Sequence, residues 1–250
     1  MRRLLLVNCK VLSFTAADPA KAILSFSKIF LLALTVFTTL HINAQAIAEK
    51  QSPDYKKAIT ERASKIVNTL SITDSVKYKK VVSIISGQYF SLNTIQEQNA
   101  AAVSGIKTQT PDKDRQAEAL KGQEEKKAAS LVQLHNDFIA LLKNNLDEGQ
   151  VDKVKDGMTY RVFLITYTAY QEMIPALTAE QKEKIYAWLK EARELAMDAE
   201  SSDKKHAVFG KYKGRINNYL SGAGYDMKKE GEEWQKRIKE RQGKNKELSN

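Results

Sequence analysis

His206 lies one helical turn beyond Asp203, with Asp198 just across a helix junction. A carboxylate beside an imidazole holds one tautomer and raises its basicity, which is what proton transfer requires. A capped, solvated histidine at a helix start is the plainer reading of the same spacing. Glu191, Glu194 and Asp198 share a helical face, so a glycosidase-like carboxylate pair is geometrically open to them. Helical surfaces carry such triplets routinely, which keeps that signal weak. Lys211, Arg215 and Asn218 make a cationic stripe at helical spacing, with Lys213 and Asn217 on the adjacent one. Arginine grips a carboxylate through two parallel hydrogen bonds, and asparagine both donates to and accepts from sugar hydroxyls. A solvated helix face looks similar. Asp156 and Tyr160 stand four apart on one face, and Tyr160, Tyr167 and Tyr170 offer either a stacking surface for a sugar ring or plain core. The candidate catalytic residues are thus His206, Asp198 and Glu191. The candidate ligand-binding residues are Asp156, Tyr160, Lys211, Arg215, Asn217 and Asn218.

Other chemistries leave no trace. There is no glycine-rich phosphate loop, no His-x-x-x-His and no nucleophile elbow, so no cofactor is expected. The histidines are His41, His135 and His206, too few for a histidine-rich metal site, and no metal is expected. His135, next to Leu134 on an amphipathic stretch, reads as a boundary residue.

The elements that position these residues read as helices. Glycine (11) and proline (4) are scarce in 250 residues, against the turn demands of an all-β fold. Ser52-Pro53 is an N-cap followed by proline at the first helical position, opening a helix to about Leu70. Thr73 or Asp74 caps a second, whose pattern weakens from Gln96 to Lys107, and residues 108–112 form a loop. Lys113 to Lys127 is charged, Ala-rich and exposed; Ala128, Leu131, Leu134, Phe138, Leu141 and Leu142 then restore an apolar stripe.

Within residues 147–173, the stretch from Thr159 to Tyr167 suits a strand by propensity. Their periodicity instead gives two adjoining helical stripes, Val151 through Met173 and Tyr160 through Ile174, as in one central helix buried on several sides. Leu146-Asp147-Glu148-Gly149-Gln150 and Leu177-Thr178-Ala179-Glu180-Gln181 are repeated capping boxes, and residues 72–76 form a degenerate third copy. The leucine–threonine–glutamine spacing resembles that of periplasmic chaperones of the Spy type. Helix 178–199 buries Ile185, Leu189, Ala192 and Ala196, and Ser201 to Asp203 cap helix 203–221, with Phe209, Tyr212, Ile216, Tyr219 and Leu220 on its apolar side. Gly210 and Gly214 each cost roughly 1 kcal/mol in a helix interior, which predicts a neighbour that comes close. The expectation is that this helix lies tightly on helix 147–173, gathering their polar side chains into one recess. The architecture is all-α, a single-domain bundle of six or seven helices over residues 47–240, with a frayed charged tail at 241–250.

Residues 1–46 read as a signal peptide with an upstream extension. The apolar run 29–42 is shorter than the ~20 residues a membrane span needs, follows Lys21 and Lys28, and precedes the small residues of Asn43-Ala44-Gln45-Ala46. A periplasmic or secreted protein follows, without a stable membrane span after cleavage. The only cysteine, Cys9, leaves with the signal, so disulfides, zinc–thiolate sites and cysteine nucleophiles are excluded from the mature chain. Net charge falls from +10 to +6, with 35 basic residues against 29 acidic ones. A moderate positive charge on an exported protein is compatible with acidic glycans, with anionic lipid, or with no particular partner. Nucleic acid is not expected as a partner, since no basic run is interleaved with aromatics.

The runs Val154-Lys155-Asp156-Gly157-Met158-Thr159-Tyr160, Lys190-Glu191-Ala192-Arg193-Glu194 with Ala196-Met197-Asp198-Ala199, and Lys205-His206 with Phe209 through Leu220 resemble the domain-of-unknown-function family 3826. The similarity runs from about Ala58 to Trp234. It implies an exported Bacteroidota protein, encoded among polysaccharide-degradation genes and sugar-binding, and it carries over no catalytic residues. Val208 stands where the family's pattern has an aromatic residue. The leading expectation is therefore an exported helical protein that binds, and processes if it is also catalytic, an acidic plant-type oligosaccharide. The alternatives are a polysaccharide lyase or glycoside hydrolase using His206 or the Glu191/Asp198 face, and a periplasmic chaperone-like or scaffold bundle.

Overall fold

The computed structural model describes residues 52–247. The expected signal segment, with Cys9 and His41, lies outside the described residues. Eight α-helices and no strands occur among the described residues, so the all-α architecture holds. They are α1 Pro53–Val67, α2 Ser75–Gln109, α3 Lys113–Lys143, α4 Glu148–Met158, α5 Val162–Met173, α6 Ala179–Met197, α7 Ser202–Gly222 and α8 Met227–Glu247. A 3₁₀ turn, Asn68–Leu70, extends α1.

Most helix starts are set by a side-chain oxygen that accepts from backbone N–H groups left unpaired in the first turn. Ser52, Asp74, Asp112 and Ser201 do this for α1, α2, α3 and α7. The capping boxes of α4 (Asp147 with Gln150) and α6 (Thr178 with Gln181) are both complete. Gly224, at φ 96°, takes the left-handed geometry after α7.

The long helices α2 and α3 pair as a hairpin whose buried residues sit only at its base, from Val81 to Leu92 and at Phe138 and Leu142. The weak apolar pattern of residues 96–107 is still helical because that stretch has one partner to satisfy. It meets α3 through polar bonds, such as Gln123 Nε2 donating to Asn99 Oδ1 at 3.1 Å.

Residues 147–173 are not one helix. The chain turns at Thr159-Tyr160-Arg161, with Tyr160 at φ 56° and Arg161 at φ 58°. The Arg161 N–H donates to the Asp156 carbonyl (2.7 Å), and Thr159 Oγ1 donates to that of Lys155 (2.8 Å). The break serves two cores. Val151, Val154 and Met158 enter a first cluster with α1, α2 and α3. Phe163, Tyr170 and Ile174 enter a second with α6 and α7. A straight helix would not aim both stripes correctly, and Ile165, expected inside, is 63% exposed. This break is the eighth helix. α6 spans both clusters, with Ile185, Leu189, Ala192 and Ala196 in the second and Met197 in the first.

The close approach predicted at Gly210 and Gly214 is also corrected. A Cβ at either would meet nothing within 4 Å. The tight contact is at Gly157, where a Cβ would lie 2.8 Å from Ile66 Cγ1.

Candidate functional site

Where the two cores meet, α6 presents an arginine on its buried face. Arg193 follows Leu189 by four and precedes Ala196 by three, so its side chain enters the interior with theirs. Only 1% exposed, it donates from Nη1 to Asp156 Oδ1 (2.8 Å) and from Nη2 to Asp152 Oδ1 (2.6 Å), both on α4. Its guanidinium also lies 5.1 Å from the centre of the Phe163 ring. Burial alone would lower the arginine pKa, but the hydrogen bonds and charges of Asp156 and Asp152 outweigh it and hold the group above its ordinary value. Burial raises the Asp156 carboxyl above the usual range despite Arg193.

Beside this pair, at the adjoining positions of the same two helices, Lys155 Nζ donates to both oxygens of Glu194, at 2.9 and 2.8 Å. His135, from α3, places Nδ1 2.8 Å from Asp198 Oδ2 and Nε2 3.7 Å from Glu194 Oε2. The hydrogen bond to Asp198 raises the His135 pKa above its ordinary 6.5, against the opposing pull of burial. Lys205 closes the far end, donating from Nζ to the carbonyls of Ala196 (2.9 Å) and Met197 (2.7 Å) in the last turn of α6. Burial pushes its ammonium down to about 8. Within this seam of ion pairs, Arg193 Nε and Asp198 Oδ1 are buried without a hydrogen-bond partner, and Asp152 is half exposed.

A second polar region lies on the outer face of α6 and α7. Arg215 holds its guanidinium 4.4 Å above the Trp188 ring and 3.7 Å from Glu191 Oε2, with both side chains of that ion pair 54% exposed. Trp188 meets Tyr219 edge-on at 5.4 Å, and Lys184 Nζ sits 4.6 Å above Tyr219. Burial, then hydrogen bonding to Glu191, pushes the Tyr212 phenol up to about 12. Cations over aromatic faces at exposed positions attract by roughly 0.5–1 kcal/mol each, which orders the side chains without burying them.

The residues expected in one recess therefore divide between regions. Asp156 and Asp198 belong to the seam, where Arg193 and His135 occupy them. Asp198 is thus the partner of His135, not His206. Asp156 and Tyr160 do not share a helical face, because the backbone turn separates them. Glu191 and Arg215 belong to the outer face, and Lys211 and Asn218 are exposed on α7. Helix α7 does touch α5, but there Asn217 Oδ1 accepts from the Tyr170 hydroxyl (2.6 Å), which burial pushes up to about 12. His206 stacks on Tyr160, with ring centres 5.8 Å apart and planes 9° from parallel. Among the described residues no cluster of His, Cys, Asp and Glu could hold a metal ion, and no helix is long and apolar enough to cross a membrane.

Sequence reasoning missed Arg193, His135, Lys155 and Lys205 as a group, and Trp188 and Lys184 on the outer face. A signal existed for two of them. Arg193 and Lys205 each stand on a helical stripe of otherwise buried apolar residues, where a cation needs a partner.

No curated protein matches the chain. A family model described as protein of unknown function (DUF3826) matches residues 56–240, a span that contains both the seam and the outer face. The chain therefore belongs to the DUF3826 family of proteins of unknown function.

Proposed function

We propose that the protein is exported and binds acidic oligosaccharides along the outer face of α6 and α7, as part of polysaccharide utilisation. The observation that supports this most is the surface ladder in which exposed Arg215 lies over half-buried Trp188 and exposed Lys184 over half-buried Tyr219. An aromatic face accepts the apolar side of a pyranose, and an arginine or lysine beside it pairs with a sugar carboxylate. Asn218 and Lys211, exposed on the same helix, add hydroxyl and carboxylate contacts.

Binding is favoured over catalysis by where the candidate acids and bases lie. A general base needs an orienting partner, and Asp198 is engaged with His135 rather than His206. Glu191 pairs with Arg215 on the outer face while Asp198 lies in the seam, so they do not make a carboxylate pair across a cleft. Isothermal titration with oligogalacturonides tests the reading. Saturable heat is expected, smaller with neutral oligosaccharides of equal length. Arg215→Ala and Trp188→Ala should each weaken binding roughly tenfold or more, the equivalent of one lost charge-assisted or stacking contact. Absence of heat with every acidic oligosaccharide counts against it.

The projecting ends of α2 and α3 favour a scaffold or chaperone-like role as the second reading, since helices this long bury nothing at their tips. Suppression of client aggregation that ignores added sugar would select that role.

A further inference from the structure

Tyr160 and Arg161 are consecutive non-glycine residues at positive φ, 56° and 58°. An aromatic side chain there costs free energy that glycine or asparagine would spare, and such strain gathers at functional positions. The fold obtains little from the Tyr160 side chain in return. Its hydroxyl, like those of several other tyrosines, makes no hydrogen bond among the described residues. Its side chain is 40% exposed, and its ring contact is the parallel stack with His206.

The neighbours are cationic. Arg62, exposed on α1, sits 5.6 Å from the centre of the Tyr89 ring. Gly157, three residues before Tyr160, packs on Ile66, one turn after Arg62, which brings the α4–α5 turn against α1; burial pushes the Tyr89 hydroxyl up to about 12, with Arg62 lowering it and Tyr160 raising it. Lys205, buried in the first turn of α7, feels the charges of Asp198 and Arg62. Among the described residues, no carboxylate forms an ion pair with Arg62, Arg161 or His206. Four elements thus converge on one surface: α1, α2, the α4–α5 turn and the start of α7.

We infer that this junction is a second binding site, for a ring-bearing carboxylate whose flat face rests on the Tyr160–His206 pair and whose carboxylate is held by Arg62. The ring supplies apolar and stacking contact, and the arginine supplies a two-pronged bond. The site is separate from the α6–α7 outer face and stands or falls without it.

Two-dimensional NMR of the Arg215→Ala protein, which removes the outer-face arginine, tests the assignment. The probes are benzoate and galacturonate (ring with carboxylate), acetate (carboxylate alone) and galactose (ring alone). At least one ring acid should shift the Tyr160, His206 and Arg62 side-chain signals saturably, and which of the two does so identifies an aryl or a sugar acid. Acetate and galactose should shift none. Arg62→Ala, at an exposed position, should weaken binding at least tenfold. Tyr160→Gly should raise the thermal midpoint by relieving the backbone yet abolish the shifts. Silence from both ring acids, equal shifts with acetate or galactose, or undiminished binding by Tyr160→Gly would overturn the assignment.

Discussion

Arg193, on α6 and facing carboxylates of α4, and Arg215, on α7 and facing a carboxylate of α6, differ in their surroundings. Arg193 is 1% exposed and fills its fork with Asp156 and Asp152 at 2.8 and 2.6 Å. Arg215 is 54% exposed at its side chain, lies over an indole, and reaches one glutamate at 3.7 Å. A buried guanidinium held by two carboxylates, with its remaining Nε shut away from solvent, cannot reach a ligand, and removing it strands the acids it served. An exposed one in a loose pair adds little to stability, so its attachment to Trp188 leaves it free to exchange Glu191 for another carboxylate. Burial, rather than residue type, separates the arginine that holds the halves together from the one available for recognition.

Breaking the buried side should have the largest effect. Arg193→Ala is expected to cost about 3–5 kcal/mol, by leaving Asp156 buried without its cation, read as a lowered urea midpoint. Arg193→Lys should recover only part of that, because a lysine cannot fill both carboxylates in the same fork. Gly157→Ala comes next, at about 1–3 kcal/mol, since the new methyl meets the stiff side chain of Ile66 at 2.8 Å. In an Ile66→Ala background that added cost should vanish.

His135 sharpens the same contrast through pH. Its folded-state pKa is raised above the ordinary 6.5, chiefly by the hydrogen bond with Asp198. The stability it contributes is therefore fully present below that ordinary value and lost as pH rises through the folded-state one. About 1 kcal/mol is expected, reduced from the range for bonds to charged groups by partial solvent access. Urea midpoints should decline from pH 6 to pH 9 in the native chain and less so in His135→Gln. Gly210→Ala and Gly214→Ala, with open space around them, should each stabilise α7 by roughly 0.5–1 kcal/mol. Smallest of all, Arg215→Ala should change stability by less than about 0.5 kcal/mol while weakening the proposed acidic-sugar binding roughly tenfold or more. A large loss of stability in Arg215→Ala would erase the distinction between the two regions.

Much of the architecture was legible because it is local. The caps at Ser52, Asp74, Asp147, Thr178 and Ser201 depend on residues a turn apart, and the stripes Ile185-Leu189-Ala192-Ala196 and Phe209-Ile216-Leu220 follow from helical period. The break at Tyr160 was hidden, because neither tyrosine nor arginine signals a left-handed backbone and the apolar pattern runs through it. Gly210 and Gly214 misled for a related reason: a glycine permits a close approach without requiring one. The candidate site was legible as residue types but not as pairings. Asp198 stands near His206 in the chain, yet His135, 63 residues earlier, takes its carboxylate.

Periodicity and capping chemistry, written over three or four residues at a time, determined that this chain is helical and where most helices begin. Which carboxylate meets which cation was decided by the packing of α4 and α3 against α6. Ion pairing depends on distance and on exclusion of water, and residues from 37 to 63 positions apart acquire both only when the two cores close on each other.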